Sequence, residues 1–288
     1  MAKARAIIKR RRAVRNIRKI TQTMQLIATA RFQKCQQRAT ASQPYTRNIT
    51  EMIQALGGQA AADHPLLRLN EAVERCVVLV ITSNRGLCGA YNASVLRTLG
   101  TRREQLEQDG LSPAMEVVGK KGAGYLRFLK VGVDQTITDI EDHIAFARVS
   151  DMAERYMGLY TRSEIARVDV VHMQFHSVGV QRPVVTQLLP IEMPKTEERP
   201  RRRVEFEFSP PPELLLKSLI PEAVKIRLFQ CFNDAIVSEQ VSRMVAMKAA
   251  TDAAGDTIKY LSRQYNRARQ TQITTELADI VGGAEAVK

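Results

Sequence analysis

No run of 18 apolar residues occurs anywhere in the chain, so no segment of it reads as a transmembrane helix. Cysteine is scarce. Cys35, Cys76, Cys88 and Cys231 lie far apart with no CxxC pair, which excludes a disulfide framework and a zinc site by spacing and suits a reducing compartment. Histidine is equally thin. His172 and His176 are four apart, but they sit in the strand-like run VDVVHMQFHSVGV with no carboxylate or cysteine beside them, so no metal site is expected there. Acidic residues are missing from the first 50 positions, which hold 13 of the 43 lysines and arginines. The other 30 basic residues balance 30 acidic ones, so the whole net charge of +13 belongs to the N-terminal segment. Such a segment suits an acidic protein surface, an anionic membrane face or nucleic acid, and is also the composition of an Arg-rich presequence.

Proline is absent from residues 1–43 and 222–288, while eight of the eleven prolines fall between Pro183 and Pro221. Both ends are therefore free to be long helices, with a proline-rich connection before the second. In the first, Ile7, Val14, Ile17, Thr21, Met24 and Ala28 follow steps of seven, three and four, with Ile20 and Ile27 on the shoulder of that stripe. This helix is expected from about Ala4 to Gln59, with an interruption near Pro44 allowed. In the second, Val237, Val241, Met244, Thr251, Ile258, Leu261, Tyr265 and Ala268 keep an uneven spacing of three and four. That helix is expected from Pro221, as a first-turn proline, to Gly282. Sixty helical residues span about 90 Å, so each helix needs a partner along its length, and the other terminal helix is the obvious one. MVAMKAATDAA, residues 244–254, followed by Gly255, predicts a seam of small residues where two backbones approach closely.

Between them, residues 72–195 alternate. Strand-like runs are Cys76–Ile81, Met115–Gly119, Gln135–Asp139, Val168–Phe175 and Val184–Leu189. Helix-like runs are Ala93–Gln108, Lys121–Leu129 and Ile144–Ile165. The expected fold class is α+β, a long antiparallel coiled coil of the N- and C-terminal helices plus a central Rossmann-like α/β domain. The expected domains are 1–60, 72–195, a proline-rich connection 196–220, and 221–282.

The stretch TSNRGLCGAYN, residues 82–92, follows a buried strand and has the look of an active-site turn. It is neither GxGxxG nor GxxxxGK[ST], and lacks the lysine and the hydroxyl that grip phosphate and magnesium. Arg85 beside Cys88 favours a thiolate, but no His or Asn is placed by sequence to act as its base. VGKKGAGY fails the same spacing test. No paired carboxylates, triad or metal cluster emerges, so the residues alone point to a structural or mechanical interaction protein with no cofactor. The rival readings are a basic coiled coil that binds nucleic acid or acts as a scaffold, weakened by the lack of aromatics among the charges, and a small α/β enzyme.

Several motifs resemble one family. SNRGLCGAYN is similar to the SDRGLCGxxN signature of the gamma subunit of F-type ATP synthase. SEQVSRMVAMKAATDAAGD (Ser238–Asp256) and YNRARQTQITTELADIVGGAEA (Tyr265–Ala286) resemble that subunit's C-terminal helix. IRKITQTMQLIATARFQKCQQRA resembles its first helix, and LLPIEMP and FSPPPELLLKSL match in order. Departures are mild: Asn84 replaces the usual Asp, Thr23 and Leu26 stand where Ala and Met are common, and no Cys-containing chloroplast-type insertion is present. The family pattern begins within the first few residues, as in a bacterial protein without an organelle presequence.

The resemblance implies a non-catalytic rotor. Its terminal helices form a bent shaft inside a ring of alternating alpha and beta subunits, where nucleotide is made or hydrolysed. Its α/β domain, with the epsilon subunit, stands on the c-subunit ring at the cytoplasmic face of the bacterial membrane. It implies no nucleic-acid partner. It also implies that the RGLCG turn braces the shaft, and that Arg243, Arg269, Gln270 and Thr274, with Met24 opposite on the first helix, contact the catching loops of beta.

Overall fold

The computed structural model describes residues 2–56, 64–191 and 212–286. The elements run α1 (Ala2–Leu56), β1 (Arg75–Ile81), α2 (Tyr91–Gln108), β2 (Ser112–Val118), α3 (Lys120–Phe128), β3 (Gln135–Ile137), α4 (Phe146–Thr161), β4 (Arg167–Ser177), β5 (Val180–Leu189) and α5 (Pro212–Ala286). Every strand and helix expected from the alternation is present, with ends moved by a few residues. The greater part of the proline-rich connection lies outside the described residues, as do the last residues expected for α1. The backbone of α1 continues through Pro44.

The C-terminal helix differs from its expectation. It begins at Pro212, and Pro221 stands inside it, not in its first turn. An interior proline removes a backbone hydrogen bond and crowds the preceding turn. Here Leu216 and Ile220 before it and Val224 after it are all buried, and that burial holds the turn helical across the defect.

Two compact units divide the chain: Met1–Thr29 with Arg243–Lys288, and Ala30–Ser242. In the first, α1 and α5 run antiparallel. Thr251 Oγ1 donates to Thr21 Oγ1 at 2.8 Å, the Arg11 guanidinium lies 5.3 Å from the Tyr265 ring centroid, and Arg18 faces Gly255, so positions descend on one helix as they ascend on the other. Thr21, Ala28, Met247, Ala254 and Leu261 are buried along this seam.

Ile17 departs from the expected stripe: it is 52% exposed, as are its shoulder neighbours Ile20 at 59% and Ile27 at 48%. Arg11 turns inward instead, its cation over the Tyr265 ring, while Arg18 lies along the helix at Gly255. Among the expected small seam residues, Ala254 is buried and Ala250 half-buried, while Ala249 and Ala253 face outward.

The second unit carries a five-stranded sheet in the order β3-β2-β1-β4-β5. β1 pairs in parallel with β2 and β4, β2 in parallel with β3, and the β4–β5 hairpin closes the far edge antiparallel. β1 is central and buried from Cys76 to Ile81, which explains its unbroken apolar run. Cys76, Val78, Val80, Met115, Val117, Val171 and Met173 pack with Tyr91, Val95 and Leu99 of α2.

Two polar clusters pin helices to the sheet. Glu116 on β2 accepts from Arg155 Nη1 and Nη2 at 2.8 and 2.6 Å and from the Tyr156 hydroxyl at 2.6 Å. Asp169 on β4 accepts from Arg102 Nε at 2.7 Å and Arg167 Nε at 2.8 Å.

Two ionisable groups, the half-buried Asp234 and the buried His172, give stability opposing pH slopes. Burial raises the Asp234 carboxyl from 3.8 to about 7, so the folded state holds a proton that the unfolded chain has lost, and stability falls as pH rises across that window. Burial lowers His172 from 6.5 to about 4, so stability is lost as pH falls through that range. Between about pH 4 and 6.5 the two slopes oppose each other. Asp234→Asn should therefore expose the histidine's slope. The variant's melting temperature should fall toward acid across that window more steeply than the wild type's, and parallel curves would refute the assignment.

Candidate functional site

The glycine turn leaves the carboxyl end of β1, at the point where the sheet order reverses between β2 on one side and β4 on the other. In open α/β sheets this crevice is where ligands bind. Here the turn fills it with its own polar groups. Asn92 Oδ1 accepts from Ser83 N at 3.0 Å, and Asn92 Nδ2 donates to Ser83 Oγ at 2.7 Å and to Cys88 Sγ at 3.2 Å. Ser83 Oγ donates to Arg85 O at 2.7 Å. Thr82 Oγ1 donates to Val118 O at 2.7 Å and accepts from Gly122 N at 2.9 Å, tying β1 to the start of α3.

Outward from the turn, Asn84 Nδ2 donates to Thr138 O at 3.0 Å and Ile140 O at 2.6 Å, while its Oδ1 accepts from Lys120 N at 3.1 Å. Asn84 supplies both a donor and an acceptor here, where the family's usual Asp supplies only acceptors. Arg85 pairs with Glu141 at 3.2 Å. Leu87 and Gly89 take positive φ angles of 65° and 58°, which shape the turn.

Cys88 is 2% exposed and in contact with a side-chain amide and a hydroxyl, neither of which is a base. These hydrogen bonds tie Cys88 to the turn and to the first turn of α2. Cys88→Ser keeps a small group that both neighbours can hydrogen-bond, so activity of the assembled complex should stay within about twofold of wild type, a change under about 0.5 kcal/mol. A larger loss in a normally assembled complex would identify a functional thiol.

The other candidate residues lie in the unit of residues 1–29 and 243–288. Met24 is half-buried on the seam, and Arg243 is 7% exposed and engaged within the chain. Arg269, Gln270 and Thr274 are exposed, and the last two are joined by a hydrogen bond from Thr274 Oγ1 to Gln270 O at 3.0 Å. With Thr21 opposite Thr251, Met24 stands at the level of α5 just before Thr251, roughly 30 Å along the helix from Arg269 at 1.5 Å per residue. The five residues thus occupy two levels: Met24 nearer Arg243, and the trio Arg269, Gln270 and Thr274 nearer the C-terminus.

Ile8, Ile17, Ile20, Leu26 and Ile27 of α1 are all exposed, spread over more than one face of the helix. Of these, only Ile8 and Leu26 lie off the expected stripe, and that was the signal the sequence offered. Among the described residues, no three His, Cys, Asp or Glu side chains gather as a metal ion would need, and no helix is long and apolar enough to cross a membrane.

Residues 3–287 match the family model described as ATP synthase. The chain is 44% identical over 295 residues to the ATP synthase gamma chain of Rhodopirellula baltica, with 100% of both covered. It is 36% identical over 288 residues to the ATP synthase gamma chain of Leptospira biflexa, again with 100% of both covered. Among solved structures, the rotor of the Euglena gracilis mitochondrial ATP synthase superposes with a TM-score of 0.66 at 16% identity, over 94% of this chain and 99% of that one. A chain of the central stalk and c-ring of the Tetrahymena thermophila mitochondrial enzyme does so with 0.59 at 18% identity, over 80% and 99%. At such identities the structural likeness concerns the fold.

Proposed function

Since the chain belongs to the ATP synthase gamma-chain family, we propose that it works as the central rotor shaft of that complex, coupling ion flow through the membrane sector to ATP synthesis and hydrolysis on a surrounding ring. It is a non-catalytic subunit. The carrying observation is the full-length match to bacterial gamma chains. The relatives named above give the nucleic-acid reading no support.

In this reading the partners are the alpha and beta subunits of the ring, the epsilon subunit and the c-ring, with the chain peripheral on the cytoplasmic face of the membrane. The close seam at Ala254 and Gly255 lets the helix pair pass through the ring, and the acid-free stretch of α1 faces acidic loops of beta. Contact is made at two levels, with Met24 and Arg243 at one and Arg269, Gln270 and Thr274 at the other. The exposed isoleucines of α1 supply apolar area that an isolated chain leaves in water.

The test is assembly with the other subunits and observation of a probe on this chain while ATP is hydrolysed. Continuous one-way rotation is expected, and hydrolysis by the ring with the probe stationary would overturn the reading. Met24→Lys probes the first level. Its ammonium beside a carboxylate of beta would form a charge-assisted hydrogen bond worth about 1.5–3 kcal/mol in only some rotary positions. The ratio of ions pumped to ATP hydrolysed in vesicles should fall, and an unchanged ratio would reduce Met24 to a packing residue.

A further inference from the structure

The connection between β3 and α4 has no regular structure of its own, yet both of its sides are bound by side chains from elsewhere. On one side the glycine turn holds it: Asn84 donates to the carbonyls of Thr138 and Ile140, and Arg85 pairs with Glu141. On the other, the two long helices hold the next residue. Arg31 of α1 pairs with Asp142 Oδ2, Gln240 Nε2 of α5 donates to Asp142 Oδ1 at 2.8 Å, and the Cys35 thiol of α1 donates to the Asp142 carbonyl at 3.4 Å. Ile140 and Ile144 are buried pegs at its two ends. All these residues belong to the unit Ala30–Ser242, and Arg31 and Gln240 stand next to its bounds.

We infer that Thr138–Asp142 is a strap that carries twisting load between the α/β sheet and the helix pair, with Asn84, Arg31, Gln240 and Asp142 as its positioning residues. The inference rests on the rotor reading above. Apolar packing, such as Phe32 against Phe175 at 6.1 Å, resists separation but has no preferred direction, so surfaces joined only by it can slide. Hydrogen bonds and ion pairs weaken steeply once distance or angle departs from a narrow range, so they resist sideways motion. The strap concentrates such directional contacts on a few successive residues. It faces the signature turn on one side and both long helices on the other. This gives the turn a mechanical task in place of a chemical one: the turn fixes the strap, and the strap fixes the shaft.

The experiment uses the complete complex with its catalytic ring immobilised. The four native cysteines are buried, so a label on Asp109→Cys, at the exposed end of α2, reports the α/β unit. The readout is the angular variance of a bead on that label during a paused dwell. Asp142→Ala and Asn84→Ala should each raise the variance about twofold or more, as directional bonds are lost. The paired exchange of Arg31→Asp with Asp142→Arg should return it toward wild type, since the Gln240 amide can turn its oxygen to the new cation. Arg162→Ala, which breaks a surface pair with Glu164 away from the strap, should leave it unchanged.

Unchanged variance in both alanine variants overturns the strap. If Asp142→Ala does not assemble, Asp142→Asn and the paired exchange decide: a soft Asn variant with a stiff exchange supports the strap, and equal stiffness in both overturns it. Wild-type complexes that hydrolyse ATP without turning the bead would instead sink the rotor reading, a distinguishable result.

Discussion

Gly119→Ala should unfold at a much lower urea concentration than the wild type. Gly119 sits at φ 96° and ψ 141°, a region that side-chain-bearing residues rarely enter. A Cβ there would stand 2.3 Å from the Thr82 carbonyl oxygen and 2.8 Å from its Oγ1. Thr82 cannot retreat. Its backbone N–H donates to Val118 O at 2.9 Å, its hydroxyl donates to the same carbonyl, and that hydroxyl also accepts from Gly122 N. Backbone strain of roughly 1–3 kcal/mol adds to a collision with backbone, so a total near 4 kcal/mol is expected. That is a large part of a typical domain stability of about 5–15 kcal/mol. Gly132→Ala is the control, with open space around it and no positive φ. Urea denaturation followed by circular dichroism reads both. A shift under about 1 kcal/mol for Gly119→Ala would mean that the β2–α3 corner yields more easily than its hydrogen bonds imply.

Asp169→Ala should cost about 3–5 kcal/mol, because it leaves two guanidinium groups facing a carboxylate that is gone. Asp169 is fully buried on β4 and accepts from Arg102 and Arg167. Arg102 reaches it from α2 with a side chain only 14% exposed, and its Nη2 is already buried without a partner. Losing the carboxylate would strand that cation in the interior. In the wild type the neighbouring Cys76 thiol is pushed up to about 11, by burial first and by the Asp169 charge second. The double variant Asp169→Leu with Arg102→Met should recover most of the loss, since apolar groups of similar volume can replace a buried pair at little cost. Equal losses in the single and double variants would show that the carboxylate acts by another route.

Gly119 and Asp169 leave different traces in the sequence. Gly119 follows a strand in the sequence, and its glycine is compatible with many turns. Only the approach of Thr82 from β1 makes it obligatory. Asp169 reads locally as one charge inside an apolar strand. Its partner Arg102, on helix α2, leaves no trace in the pattern around it.

The sequence by itself determined the elements. Proline-free ends made long helices, the unbroken run Cys76–Ile81 made a central strand buried on both faces, and the alternation between them gave the sheet and its helices, because each depends on hydrogen bonds and burial set within a few residues. It also determined family and function, through motifs specific enough to be read at sight.

The tertiary structure decided three further points. It turned Ile17 outward and Arg11 inward, because the Tyr265 ring on the facing helix offers the Arg11 cation a partner that no pattern within α1 reveals. It separated the five candidate contact residues into two levels, because the antiparallel register is fixed by pairs such as Thr21 with Thr251 that no single segment contains. It also joined Asn84 to Thr138 and Arg31 to Asp142, because hydrogen bonds and ion pairs between distant residues act through space and impose no period on the chain that carries them.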